Sequence, residues 1–236
     1  MILGFSDGVL HKSFRKDTDR HKREYLNQYF FNAIEIHCVN EDVMDEIIND
    51  LDKNLYSKFK FISLHAPSFC GDNKKDLFLL EKIRKICNKF NIKNVIIHPD
   101  QISDWGILNN FRDLPLSIEN MDRDKNSFKS LNDFKEIITK TNLKITLDLN
   151  HIYDNNINME MAKDFHDKFA DKIVEYHLSG YNKEDKHVPL FKTNQLEIIK
   201  ALKFKNLPII IESDVDNFNE MGGEYLFIKE NLSIDF

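Results

Sequence analysis

Six short apolar runs in this chain close on a side chain that can ligate a metal ion. They are Phe61-Ile62-Ser63-Leu64-His65, Val95-Ile96-Ile97-His98, Leu116-Ser117-Ile118-Glu119, Ile145-Thr146-Leu147-Asp148, Val174-Glu175-Tyr176-His177 and Ile209-Ile210-Ile211-Glu212. A single His or Glu at such a place reads as a cap or a hydrogen-bonding group. Six in series read differently, because each unpaired titratable group near an apolar core costs about several kcal/mol. A bound divalent cation offsets that cost. Two local pairs, Asp148 with His151 (D-x-x-H) and Asp185 with His187 (D-x-H), enlarge the set. Imidazole and carboxylate together suit zinc, with manganese or iron(II) also acceptable, whereas calcium prefers oxygen ligands alone.

The elements that must position these groups follow from hydrophobic period. Eight short apolar runs read as strands: Ile2 to Ser6, Ala33 to His37, Lys60 to His65, Asn94 to His98, Pro115 to Glu119, Lys144 to Asp148, Ile173 to His177 and Pro208 to Glu212. Between them, Asp42 to Leu55, Lys74 to Phe90, Leu131 to Thr141, Met159 to Ala170 and Gln195 to Leu202 repeat apolar residues at helical spacing. The weakest unit is the fourth, where Gln101 to Asn110 is short and contains Gly106. Alternation of this kind implies parallel pairing through helical crossovers. Eight units without a break in composition predict one α/β domain over residues 1–236, a (β/α)8 TIM barrel. In a barrel the C-terminal strand ends converge on one face, so the six terminal residues would meet there.

Composition narrows the function classes. A net charge of −6 gives no general attraction to nucleic acid or to an anionic membrane. No apolar run approaches the roughly 20 residues needed to span a bilayer, and no signal peptide is visible at the N-terminus. Cys38, Cys70 and Cys87 show no CxxC spacing, which suits a reducing compartment. The expectation is a soluble cytoplasmic protein.

Other residues receive plainer roles. Glu35 and His37 close the second strand and are read as structural, with His37 able to reach the rim of the site. Tyr181, Lys183 and Lys186 lie between two proposed ligand groups and are candidates to clamp an anionic substrate. Phe69 and Trp105 are expected to pack beneath loops, and His11, His21 and His166 to lie on the surface.

With His65-Ala66-Pro67, His98-Pro99, Glu119-Asn120, Asp148-Leu149-Asn150-His151, His177-Leu178, Asp185-Lys186-His187 and Glu212 in this order, nearly the whole chain resembles the endonuclease IV and xylose isomerase-like barrels. The resemblance implies up to three zinc ions. His65, His98 and Glu119 would hold the first; Glu119 would bridge to a second on Asp148, His177 and Glu212; His151, Asp185 and His187 would hold the third. Three divalent ions against four carboxylates leave a formal charge of about +2, which favours a phosphate. The chain departs from endonuclease IV at Ser68, where the family has Tyr after the proline, at Asp100 in place of Gly, and at Ser179-Gly180 in place of Asn-Asp. It is also shorter.

Two activities compete. The first is hydrolysis of a phosphate ester by a multinuclear cluster, on a small-molecule or single-stranded substrate in preference to duplex DNA. The second is a sugar or sugar-phosphate isomerase or epimerase with one metal and Glu119 and Glu212 as the catalytic acid and base. A degenerate barrel used only for binding would not need all nine ligands in register.

Overall fold

The computed structural model describes residues 1–10, 31–141 and 143–233. His11 and His21 lie outside the described residues. Eight strands follow the predicted positions: β1 (Ile2–Ser6), β2 (Ala33–His37), β3 (Phe61–His65), β4 (Asn94–Ile97), β5 (Leu116–Glu119), β6 (Lys144–Asp148), β7 (Ile173–Leu178) and β8 (Pro208–Ile211). Neighbours in sequence pair in parallel, and β8 pairs in parallel with β1, so the sheet closes into a barrel. This is a (β/α)8 TIM barrel.

The helices among the described residues are α1 (Glu41–Asn49), α2 (Asn73–Phe90), α3 (Leu131–Thr141), α4 (Leu149–Asn155), α5 (Glu160–Phe169), α6 (Leu190–Thr193), α7 (Leu196–Lys200) and α8 (Phe218–Leu232). The fourth unit carries no α-helix. Two 3₁₀ turns, Pro99–Gln101 and Trp105–Phe111, connect β4 to β5 in its place. None of these helices is long and apolar enough to cross a membrane.

The longer helices lay an apolar stripe on the barrel. In α2 the stripe is Leu79, Leu80, Ile83, Ile86 and Phe90, all buried. Asp72 caps its start by accepting from the Lys74 and Lys75 amides, and Asn91, in the left-handed region at φ 54°, ends it. In α5 the stripe is Ala162, Phe165, His166 and Phe169. His166 is therefore not a surface residue: it is buried, its Nε2 stands 2.8 Å from the Tyr176 hydroxyl, and burial holds its pKa down at about 4. Phe69 is buried, and Trp105 packs on Phe128 with ring centroids 5.7 Å apart, as expected for packing residues.

Barrel closure sets one strict requirement. A Cβ on Gly4 would lie 1.8 Å from the Ala33 carbonyl oxygen, so the approach of β1 to β2 admits only glycine.

Candidate metal centre

Side chains alternate along a strand, so the residue two places before each strand-end ligand also points into the barrel. Two inner layers result. The upper one carries His37, His65, His98, Glu119, Asp148, His177 and Glu212. The lower one carries Glu35, Ser63, Ile96, Ser117, Thr146, Glu175 and Ile210, every one fully buried. A shift of register between Ile145 and Thr146 on β6 pairs Thr146 with Glu175 and keeps Glu175 in that layer.

The upper layer gathers its donor atoms tightly. His65 Nε2 and His98 Nε2 are 3.1 Å apart, and they lie 3.5 and 3.1 Å from Glu119 Oε2. Ligands roughly 2.1 Å from a tetrahedral ion stand roughly 3.4 Å from one another, so these three atoms already have the spacing of a coordination face. Glu119, Asp148, His177 and Glu212 form a second group whose donor atoms all lie within 4.8 Å of one another. Glu119 belongs to both. Its other oxygen, Oε1, is 2.8 Å from His177 Nδ1, which is also 3.3 Å from Glu212 Oε2. Glu119 Oε2 and Asp148 Oδ2 are buried without a hydrogen-bond partner. Buried carboxylate oxygens without donors, beside imidazole nitrogens at coordination spacing, fit a divalent cation.

Local structure aims each ligand. Asp148 is the N-cap of α4, where its Oδ1 accepts from the His151 amide at 2.9 Å. That geometry explains the D-x-x-H spacing, because an N-cap and the third residue of the first helical turn face the same place. His151 donates from Nδ1 to the Asn120 carbonyl at 2.8 Å, His65 Nδ1 lies 3.3 Å from the Ala66 carbonyl, and His187 Nδ1 is 3.0 Å from Ser179 Oγ. In each case one ring nitrogen is held by the protein and the other is left for the site, the arrangement typical of metal-binding histidines. Asn120 binds Asp148 reciprocally: its amide donates to the Asp148 carbonyl at 2.9 Å, and its Oδ1 accepts from the Asp148 amide at 2.7 Å.

The third predicted set is looser. The His151 and His187 rings stand edge to face with centroids 5.5 Å apart, whereas Asp185 is exposed in the loop after β7, and the three form no compact ligand group. Nor does the loop bring the predicted substrate clamp to the cavity. Its ends are joined by an antiparallel bridge from Gly180 to Val188, and Asn150 donates to the Gly180 and Lys186 carbonyls. Tyr181 bonds Asp154, Lys186 pairs with Asp124 and Asp122, and Lys183 is exposed.

The site's electrostatics are self-balancing without metal. Burial would raise the Glu119 carboxyl, but the charge and hydrogen bond of His177, then the contacts of His65 and His98, hold it well below the usual range. Glu212 is lowered in the same way, against burial, chiefly by His177. His177 is raised well above its ordinary value by Glu212, Glu35 and Glu119 despite burial. Burial also opposes His65, which Glu119 and Glu35 nevertheless lift to about 9. Asp148 is raised by burial. His37 goes the other way, held at about 3 by burial and by neighbouring His65, and stays neutral.

A cavity of about 520 Å³ opens over this layer, with His37, His65, His98, His151, His187 and Glu212 in its wall. Among the described lining residues Lys125 is the one Lys or Arg. A second cavity of about 620 Å³, near the N-terminal ends of β4 to β6, has no His, Cys, Asp or Glu in its described lining. Of these two cavities, only the first is lined by candidate ligands.

Sequence reading missed the lower layer. Ser63 donates to Glu175 Oε1 at 2.8 Å, Asn94 donates to Glu175 Oε2 at 2.6 Å and to Thr146 at 3.0 Å, and Ser117 and Thr146 share a 2.7 Å bond. Glu35, Glu175 and His177 make a further close group directly below the ligands.

Comparison with known proteins gives one family and one shared fold. The family model for "RiPP precursor modification enzyme MbnB/TglH/ChrH" matches residues 105–230. No curated protein matches the chain in sequence. Among solved structures, endonuclease IV from Thermus thermophilus superposes with a TM-score of 0.70 at 13% identity, covering 98% of this chain and 99% of that one. D-allulose 3-epimerase from Methylomonas sp. superposes with a TM-score of 0.66 at 16% identity, covering 98% of each chain. An L-ribulose 3-epimerase gives 0.65 at 12% identity, over 98% of this chain and 94% of the other. These neighbours share the fold that the ordered strand-end residues imply.

Proposed function

The chain belongs to the MbnB/TglH/ChrH family of RiPP precursor modification enzymes, and from this premise we propose that it modifies a ribosomally synthesised precursor peptide at a metal centre. The observation that carries the reading is the sharing of Glu119 between two compact ligand groups at the floor of the cavity. The matched stretch contains seven of the nine candidate ligands: Glu119, Asp148, His151, His177, Asp185, His187 and Glu212. His65 and His98 complete the first group from outside it.

His65, His98 and Glu119 would hold one ion, and Glu119, Asp148, His177 and Glu212 a second. His151 and His187 stand where a third would be held, with Asp185 brought in from its loop. Zinc suits the donor set, and iron or manganese is compatible with it. Bound there, the ions supply Lewis acidity that polarises a substrate group and lowers its pKa.

The chain's own residues supply the rest. The cavity has the size of an ordinary small-ligand pocket, so it accepts a short segment or one side chain of a peptide and not a folded partner. Glu212, partly exposed at the wall, borders the space of the bound segment and is placed to accept a proton from it. Neutral His37 borders the same space and can hydrogen-bond the substrate without adding charge. Lys125 attracts an anionic group at the mouth.

One observation favours a second reading. The group on Glu119, Asp148, His177 and Glu212 offers four ligands to a single ion, and with Glu119 and Glu212 as acid and base it would suit sugar isomerisation or epimerisation. Elemental analysis of protein purified without chelator separates the two, with more than one equivalent expected for the peptide-modifying centre. The activity test incubates the loaded protein with short peptides encoded beside its own gene and follows their mass. Parallel arms contain ketoses, their phosphates and a single-stranded phosphodiester. A metal-dependent mass change in a peptide is expected. One ion or fewer, together with ketose turnover or phosphodiester cleavage and unmodified peptides, would overturn the proposal.

A further inference from the structure

Glu35 is the most unusual side chain in the barrel. It lies at the centre of the lower layer, fully buried, and neither of its carboxylate oxygens has a hydrogen-bond partner. Leaving a carboxylate in that condition is among the costlier arrangements a core can hold. His177 Nε2 lies 3.1 Å from Glu35 Oε2 and is likewise without an aligned partner. The other nitrogen of the same ring, Nδ1, faces Glu119 and Glu212 in the ligand layer above. His177 thus spans the two layers, with one nitrogen toward the candidate ions and one toward the floor.

Among the described residues two floor carboxylates face Nε2. Glu175 Oε1 is 3.9 Å away, and both Glu175 oxygens already accept hydrogen bonds, from Ser63 and Asn94. Glu35 is nearer and has no competing donor. Resting on the metal-centre reading above, we propose that Glu35 is a positioning residue: its carboxylate accepts a hydrogen bond from the Nε2–H of His177 and thereby keeps the Nδ1 lone pair of that imidazole directed at the ion shared with Glu119, Asp148 and Glu212. A carboxylate behind a ligating imidazole fixes the tautomer, stops the ring from rotating and makes the ligating nitrogen more basic. Ser63, Asn94 and Thr146 serve the pair indirectly by tying Glu175 down, so that it does not draw the His177 proton away from Glu35.

The test measures metal binding in place of turnover. Chelated wild type, Glu35→Gln, Glu35→Ala and Glu175→Gln are titrated with Co(II) against a chromogenic chelator, and the visible Co(II) spectrum is recorded with circular dichroism as the check on fold. Glu35→Ala is expected to weaken the ion held by His177 on the order of 10- to 100-fold and to shift its absorption bands. Glu35→Gln, which keeps an acceptor beneath Nε2, should recover part of that loss, and it carries the test if the alanine variant does not fold. Glu175→Gln should bind like wild type. Wild-type affinity and spectrum in both Glu35 variants, with wild type itself binding cobalt, would overturn this proposal and leave the metal centre standing. Equal losses in Glu175→Gln and Glu35→Ala would overturn it too, and so would an extra equivalent of cobalt lost from both, because the trio would then be a ligand set of its own. A wild-type protein that takes up no metal would sink both readings together.

Discussion

Raising pH should destabilise the metal-free protein and strengthen the metal-loaded one, and the divergence tests the electrostatics of the centre. In the chelated protein burial works against a charged His65, yet Glu119 and Glu35 lift its pKa from 6.5 to about 9. A folded-state value above the unfolded one means that the contribution is fully present below pH 6.5 and is lost as pH rises through about 9. At about 1.4 kcal/mol per tenfold, that span amounts to about 3 kcal/mol, a large part of the stability of an ordinary domain. His177, raised by Glu212, Glu35 and Glu119, acts in the same direction. So does Glu175, lifted by burial from 4.5 to about 8, whose contribution declines across that interval. The lowered pKa values of His37, about 3, and His166, about 4, act only below pH 6.5 and do not mask the effect. Metal reverses the sign, because an imidazole must lose its proton to bind an ion, and binding to the folded state adds stability that grows with pH. Urea denaturation at intervals from pH 6 to pH 9.5, with chelator and with added zinc or iron(II), measures both slopes. A chelated protein whose stability is flat or rises across this range, or a loaded protein that runs parallel to it, would refute the reasoning.

Two further outcomes follow from the geometry. Glu119→Gln should lower both metal content and activity more than His187→Asn, because Glu119 faces two ligand groups and His187 only the looser third; elemental analysis beside a turnover assay checks the order, and equal losses in folded variants would show the ranking to be wrong. Gly4→Ala should cost more than about 3 kcal/mol or prevent folding, since its Cβ would lie 1.8 Å from a backbone oxygen that cannot retreat without opening β1 from β2; thermal denaturation within a few degrees of wild type would contradict the close approach.

Much of the barrel can be read from the residues alone, because strand-length apolar runs alternate with helical stripes and most runs end in a titratable group. The upper layer shares that legibility. Its ligands sit within one residue of a strand's end, where the barrel face gathers them, and Asp148 and His151 add a helix cap whose spacing is itself a signal. The lower layer does not stand out in the same way. Glu35 and Glu175 occupy alternate positions in short strands, which in a linear reading look like the polar face of any half-buried strand; only closure turns that face into an interior. A signal did exist for His166, which continues the Ala162, Phe165, Phe169 stripe at helical spacing, and charge nearby in sequence obscured it. Tyr181, Lys183 and Lys186 are neighbours of the ligands along the chain. With the Gly180–Val188 bridge in place, Tyr181 meets Asp154, Lys186 meets Asp124 and Lys183 stays exposed, a long-range event with no local mark.

The double duty of Glu119 has a consequence for how the centre would fill. Its Oε2 lies against His65 and His98, and its Oε1 against His177. An ion held on either side would fix the carboxylate plane and so leave the opposite oxygen already oriented for a second ion. The ordering entropy would then be spent once for two binding events, and occupancy of the two places would be linked, each raising the affinity of the other to the same degree. Under scarcity such a protein would divide into empty and doubly filled molecules, with few half-filled ones, and availability of the ion would act on it as a threshold.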